Sequence, residues 1–199
     1  MAAHEVAAPM KRTANAREDV LDASTRRYER RLGELEGLYR DADLYEKALA
    51  SNDDAPVYWV EEARLEGSGE SITGVSVLGP GRIGDEFYRT RGHLHAKPDR
   101  AERYLAISGR GVILLDDLEG NRRAIEISAG EAVQVPGYWM HRSVNVGAER
   151  FVTVFCYAAD AGQNYAIIAE AGGMRDVVVV DGDGWTTHSN PDHQGYPRG

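Results

Sequence analysis

The residues of this chain best suited to chemistry are His93 and His95, separated by one leucine, together with Glu102 and His141. Side chains alternate along an extended strand, so the two imidazoles of a His-Leu-His run point to the same side, roughly 6 to 7 Å apart in backbone terms. They can therefore share one ion. Glu102 follows after a short turn, at the head of the strand-like run Arg103-Tyr104-Leu105-Ala106-Ile107, and His141 comes after a turn around Pro136-Gly137. Any one of these histidines alone would as readily cap a turn, but three imidazoles and a carboxylate together favour a borderline or hard divalent ion such as iron, manganese, nickel or zinc. An octahedral ion with four protein ligands keeps positions for water or a substrate oxygen. Glu102 either only binds that ion or also moves a proton beside it, and the second role requires a pKa suited to the working pH.

These ligands need a scaffold that turns them inward, and the chain reads as one. Short β-prone runs recur about every ten residues: Val57 to Val60, Gly74 to Leu78, Phe87 to His95, Tyr104 to Ile107, Val112 to Leu115, Arg122 to Ile127, Gly130 to Pro136, Arg142 to Val146 and Phe151 to Tyr157. Turn residues punctuate them, among them Gly79-Pro80-Gly81, Ser108-Gly109-Arg110-Gly111 and Glu119-Gly120-Asn121. That rhythm describes an all-β double-sheet jelly roll or barrel, whose interior is where inward-facing ligands meet. Asp176 to Val180, with four consecutive valines, is the last strand candidate and is expected to be buried on both sides or covered by a partner.

The flanks read differently. Residues 1–20 have a composition that forces no fold, and Ser24 to Ala50 carries Leu32, Leu35, Leu38 and Tyr39 at helical spacing. A break is expected near Asp41 to Asp43, with a short second helix through Leu44, Lys47 and Ala48. Three regions follow: a partly helical N-terminal extension over 1–50, a β-barrel over 51–184 and a polar tail over 185–199 that holds His188 and His193.

Composition narrows the function. The chain has 199 residues, enough for one domain with a true core, and a net charge of −9 from 23 basic and 32 acidic residues argues against a nucleic-acid partner. The single cysteine, Cys156, lies in an apolar run and rules out an intramolecular disulfide, which suits a reducing compartment. Met1 to Asp19 lacks the apolar stretch of a signal peptide, and no run approaches the roughly 20 apolar residues that span a bilayer. A cytoplasmic protein without a membrane partner is the expectation. Thr90-Arg91-Gly92, just ahead of the histidine pair, offers a hydroxyl, a cation and an unobstructed N–H, all suitable donors for an anionic oxygen. Tyr104, Tyr157, Gln163 and Tyr165 are further polar residues that could line the same interior.

With these residues set out, the chain resembles the cupin superfamily and, more closely, the cupin-type phosphoglucose isomerases. The stretch Gly92 to Lys97 with Ala101 to Tyr104, Gly109 and Gly111 resembles the first cupin motif, and Gly130, Val135-Pro136, Trp139 and His141 to Asn145 resemble the second. The family-level match is Pro80 to Tyr88 before Thr90, together with Tyr157 to Gly162, and the resemblance extends over about residues 30 to 180. It implies a double-stranded β-helix and a cytoplasmic homodimer of glycolysis and gluconeogenesis that interconverts glucose 6-phosphate and fructose 6-phosphate. It implies one divalent metal per subunit, iron(II) foremost, on His93, His95, Glu102 and His141. It makes Thr90 and Gly92 phosphate contacts with Tyr58, Ser76 and Tyr157 as companions, sets Tyr104 and Tyr165 beside the sugar, and gives Glu102 the proton shuttle between C1 and C2.

Two departures bear on that reading. Gln163 stands where the family carries a pocket histidine associated with sugar handling, and glutamine hydrogen-bonds but does not titrate near neutrality. Arg100 stands where an aromatic can occur. The residues therefore leave two other readings open: a metal-cupin epimerase or dioxygenase acting on a related metabolite, and a sugar-binding cupin without catalysis.

Overall fold

The computed structural model describes residues 11, 13–15, 20–21, 26–51, 55–64 and 69–197. In chain order the strands are β1 (Ala14–Asn15), β2 (Val20–Leu21), β3 (Arg26–Arg31), β4 (Pro56–Arg64), β5 (Ser71–Leu78), β6 (Arg82–Ile83), β7 (Glu86–Phe87) and β8 (Glu102–Ser108). They continue as β9 (Arg110–Asp117), β10 (Arg122–Ser128), β11 (Ala132–Val135), β12 (Trp139–Asn145), β13 (Phe151–Ala158), β14 (Asp176–Asp181) and β15 (Gly184–Ser189). The helices α1 (Ala42–Ser51) and α2 (Ala166–Glu170) flank this β structure.

A six-stranded antiparallel sheet, ordered β11-β8-β13-β5-β4-β3, faces a three-stranded sheet, β10-β9-β12. The main core lies between them, with Tyr104 and Ala106 from β8, Ile113 and Leu115 from β9, and Phe155 and Tyr157 from β13. This is the expected all-β double-sheet jelly roll. Strand β9 shows why its sequence is apolar without alternation: Ile113 and Leu115 enter that core, while Val112 and Leu114 enter a second core with Met140, Val144, Ile168 and Val178. A strand packed on both faces has no solvent side to mark with polar residues.

The flanks depart from the expected pattern. Arg26 to Arg31 is not helical but forms β3, hydrogen-bonded along β4, with Arg27 Nη1 2.6 Å from Glu61 Oε1. Tertiary pairing and ionic contacts override the local signal here, because β-structure follows its neighbours more than its own propensity. Leu32 and Leu35 are buried as their spacing required, yet they sit on a single 3-10 turn, Leu32–Glu34, and the turn after it. The second expected helix is present as α1. At the other end, Gly184 to Ser189 is no loose tail: it forms β15 against β14, whose Val177, Val178 and Val179 are buried. Tyr196 is also buried, with its hydroxyl donating to Asp116 Oδ2 at 2.5 Å. The calls on residues 1–10 and 16–19 fall outside the described residues.

Gly74 on β5 shows how tightly the barrel is closed near the ligands. A Cβ there would collide with the Phe155 ring and lie 2.7 Å from the Glu61 carbonyl oxygen. Overpacking of that kind costs about 1–3 kcal/mol or more. Gly74→Ala is expected to lower unfolding free energy in urea by at least about 1 kcal/mol, with the m-value unchanged.

Candidate metal centre

Three separate elements bring the quartet together. The extended segment before β8 runs antiparallel to β12, and His93 faces His141 directly: His93 N donates to His141 O at 3.1 Å and His141 N donates to His93 O at 3.0 Å. Alternation then returns His95 to the same side, while Leu94 points the other way into the second core. Glu102 opens β8, where it pairs with Val135 of β11 and Tyr157 of β13. Gly92, at φ +73°, makes the turn into the segment possible, since a Cβ there would come within 2.9 Å of Arg142 Cβ and the His141 carbonyl.

All four side chains are buried, and one ligand atom from each lies within 4.8 Å of the others. Glu102 Oε2 is the point of convergence: it stands 3.0 Å from His141 Nε2, 3.2 Å from His95 Nε2 and 3.9 Å from His93 Nε2. Two tautomers are fixed from behind. His95 Nδ1–H donates to the Arg100 carbonyl at 2.8 Å, and His141 Nδ1–H to the Trp139 carbonyl at 3.1 Å. Each bond leaves the Nε2 lone pair on the Glu102 side, as metal-binding histidines require. Acceptor then faces acceptor, a conflict that a proton or a cation resolves.

A divalent cation suits the set best. His93 Nε2 is buried and has no hydrogen-bond partner, and the nitrogens and carboxylate form the mixed donor set of first-row divalent ions. Burial pushes the Glu102 carboxyl up, but its bonds to His141 and His95 and the histidine charges take it well below the usual carboxylate range. Burial and the neighbouring His141 hold His93 well below its ordinary value. For His95, burial acts downward, while the Glu102 and Arg100 bonds prevail and raise it. Arg100, the residue in an atypical position, makes a fork onto Asp160, with Nε to Oδ1 and Nη2 to Oδ2 both at 3.0 Å. That fork holds the stretch whose carbonyl orients His95.

The space over the quartet is lined by Tyr58, Ser76, Thr90, Gly92, Tyr104, Tyr157, Gln163 and Tyr165 along with His93, Glu102 and His141, so every expected contact residue reaches it. Thr90 Oγ1 accepts the Ser143 N–H at 3.1 Å, which leaves its own O–H free to donate. Tyr157 donates to Glu62 Oε1 at 3.1 Å, and Tyr165 to Gln163 Oε1 at 2.6 Å. Burial raises the phenols of Tyr104, Tyr157 and Tyr165, and pushes Tyr58 up to about 12, so all four remain O–H donors at neutral pH. Sequence reasoning missed Tyr28, Val60, Arg142, Ser143 and Phe155 in this lining. Tyr28 lay in a stretch read as helix, and Phe155 in a run read only as core.

A family model described as glucose-6-phosphate isomerase matches residues 29–194. A glucose-6-phosphate isomerase from Sinorhizobium medicae is 44% identical over 169 residues, which cover 84% of this chain and 79% of that protein. One from Pyrococcus furiosus is 42% identical over 156 residues, covering 77% of this chain and 82% of that protein. Among solved structures, a Bacillus subtilis oxalate decarboxylase overlaps 54% of this chain and 27% of its own, with 22% identity and a TM-score of 0.44.

Removing one ligand should dissolve the set without dissolving the fold. His141→Ala is expected to stay folded by circular dichroism and to lose at least about 100-fold in manganese affinity, read by competition with a chromophoric chelator. Asp160→Ala, which only releases the stretch behind His95, is expected to lose about tenfold.

Proposed function

The chain belongs to the cupin-type glucose-6-phosphate isomerase family, and on that premise we propose that it interconverts glucose 6-phosphate and fructose 6-phosphate. The observation that carries this reading is the meeting of an anion-facing side and a buried His/Glu quartet around one small space. Thr90 and Ser76 hydroxyls, the Tyr58 and Tyr157 phenols and the Gly92 backbone receive the phosphate. Hydrogen bonds to a charged group are the strong ones, which makes this end of the substrate the anchor. Tyr104 and Tyr165 then hold sugar hydroxyls, and Gln163 orients one of them without exchanging protons.

A divalent metal on His93, His95, Glu102 and His141, iron(II) before manganese, nickel or zinc, supplies Lewis-acid stabilisation of the negative charge that develops on the sugar oxygens. Glu102 performs the proton step. Its Oε2 is committed to the histidine side, so Oε1 takes the C2 proton of the open-chain aldose. The C2–H electron pair becomes the second C1–C2 bond as O1 gains a proton, giving a cis-enediol. Return of the proton from Glu102 to C1, with loss of the O2 proton, gives the ketose, so that one proton moves from C2 to C1 and one from O2 to O1. The carboxyl is ionised at neutral pH and so in its accepting form, although its neighbours hold it well below the working pH that proton transfer favours.

The space over the quartet is only about 60 Å³, whereas sites for small molecules run from roughly 300 Å³ upward. Substrate admission therefore moves side chains at the mouth. Tyr165, 39% exposed and held by Gln163, Tyr28 and the His93 ring, and Tyr28 on the outermost strand of the sheet are the side chains that must move. The working form is a cytoplasmic homodimer, a reading supported by the family resemblance. No helix among the described residues is long and apolar enough to cross a membrane.

After loading with iron, manganese, nickel or zinc, the protein is expected to convert glucose 6-phosphate to fructose 6-phosphate, and Glu102→Ala to abolish this. Turnover no higher than that of Glu102→Ala with every metal would sink the proposal. Thr90→Val, which removes one donor to a charged group, is expected to raise KM about 10- to 100-fold with a smaller change in kcat, from a bond of about 1.5–3 kcal/mol.

A further inference from the structure

A roomier space than the one over the quartet lies close to it. A cavity of about 590 Å³ lies behind β12, between the turn after Leu32–Glu34 and helix α2. Strand alternation explains its position: His141 and Ser143 face the metal side and Met140 and Val144 the second core, while the long side chain of Arg142 borders both spaces. Arg89, bridged to Val144 on the neighbouring segment, joins Arg142 in the cavity wall.

Two buried guanidiniums there are under-used. Arg89 is 1% exposed and Arg142 4%. Arg89 Nη2 donates to the Leu38 carbonyl at 2.5 Å and to Glu86, and its plane lies over the Tyr39 ring, yet Nε and Nη1 have no partner. Arg142 Nη2 donates to the Arg91 carbonyl at 2.6 Å, while Nε has none. Glu86 carries one negative charge against these two positive ones. Asp116 acts on Arg142 through space, but its Oδ2 accepts from Tyr196 and from the Arg175 N–H, and among the described residues no carboxylate makes an ion pair with Arg142. A buried charge without a partner is costly, and an anion brought between the two arginines would relieve that cost. The rest of the wall has an apolar part, Leu35, Leu38, Ile168 and Met174, and a charged part in which Arg40 and Arg91 stand with Glu34, Glu36 and Asp192.

We propose that this cavity is a second small-molecule site, adjoining the space over the metal centre and sharing Arg91, Arg142 and Tyr165 with it, which takes a phosphorylated or carboxylated metabolite with its anionic group against Arg89 and Arg142 and its carbon body against the apolar part of the wall. The volume falls in the ordinary range for such ligands. Because Arg142 follows His141 on one strand, the occupant sits close to a metal ligand.

Phenyl phosphate and benzoate, which share an apolar body and differ in the anion, are suitable probes for titration calorimetry on the metal-loaded protein. One molecule of at least one probe is expected to bind, with affinity falling at least tenfold in Arg89→Met and in Ala169→Trp, which fills the cavity mouth from an exposed position on α2. The tighter probe identifies the anion class. Ala169→Trp is expected to leave isomerase kcat and KM unchanged, and it carries the test alone if Arg89→Met does not fold. Probe affinity unchanged in Ala169→Trp, or a rise in the KM for glucose 6-phosphate in parallel with loss of the probe, would overturn the proposal, the latter by making the cavity part of the substrate site.

Discussion

One antiparallel contact governs the rest of the site: the paired backbone bonds between His93 and His141. They fix two ligands across from each other, and strand alternation adds His95 to the same side. Glu102, one sheet away, closes the set by directing a single oxygen at three ring nitrogens. None of these positions tolerates a shift of one residue, because a slip in register sends every side chain to the opposite face. The glycines around the contact serve that constraint. Gly92 lets the segment approach β12, and Gly74 leaves room for the Phe155 ring on the opposite wall.

The same alternation gives the protein two interiors. Strand β12 borders both the metal centre, through His141, and the Arg89–Arg142 cavity, with Arg142 lining the two spaces. A strand buried on both sides is a stiff element, so a displacement felt at Arg142 is felt at His141. In a close-packed interior such small displacements are not absorbed by free volume. The orienting bonds behind the histidines, to the carbonyls of Trp139 and Arg100, lie in the same shell. They turn local backbone position into ligand orientation.

Much of this was legible in the sequence, for identifiable reasons. The His-Leu-His spacing survives because period-two alternation is a property of extended backbone, whatever the tertiary context. The barrel strands were marked by glycine turns and β-branched runs, and Gln163 and Tyr165 were expected in the pocket as polar residues at positions the family resemblance puts beside the sugar. Strand β3 was not legible: Arg26 to Arg31 holds five charged residues around Tyr28, and its strand character comes from partners such as Glu61 that are distant in sequence. Tyr28 was lost from the pocket with it. The C-terminal stretch read as polar because its burial rests on single anchors, Tyr196 on Asp116 and Asn190 on the Gly172 and Met174 carbonyls, and not on a hydrophobic period. Arg89 was equally ambiguous, since only the fold decides whether an arginine beside a strand is inside or outside.

The account turns on where a metal and a sugar phosphate sit together. A crystal structure of the manganese-loaded protein with an acyclic sugar-acid phosphate, using the anomalous signal of manganese, tests it most directly. The account predicts one ion bound by His93, His95, Glu102 and His141, the phosphate against Thr90 and Gly92, and the carbon chain beside Glu102. An ion elsewhere, or a phosphate seated away from Thr90 and Gly92 while the quartet stays hydrogen-bonded to itself, would contradict it.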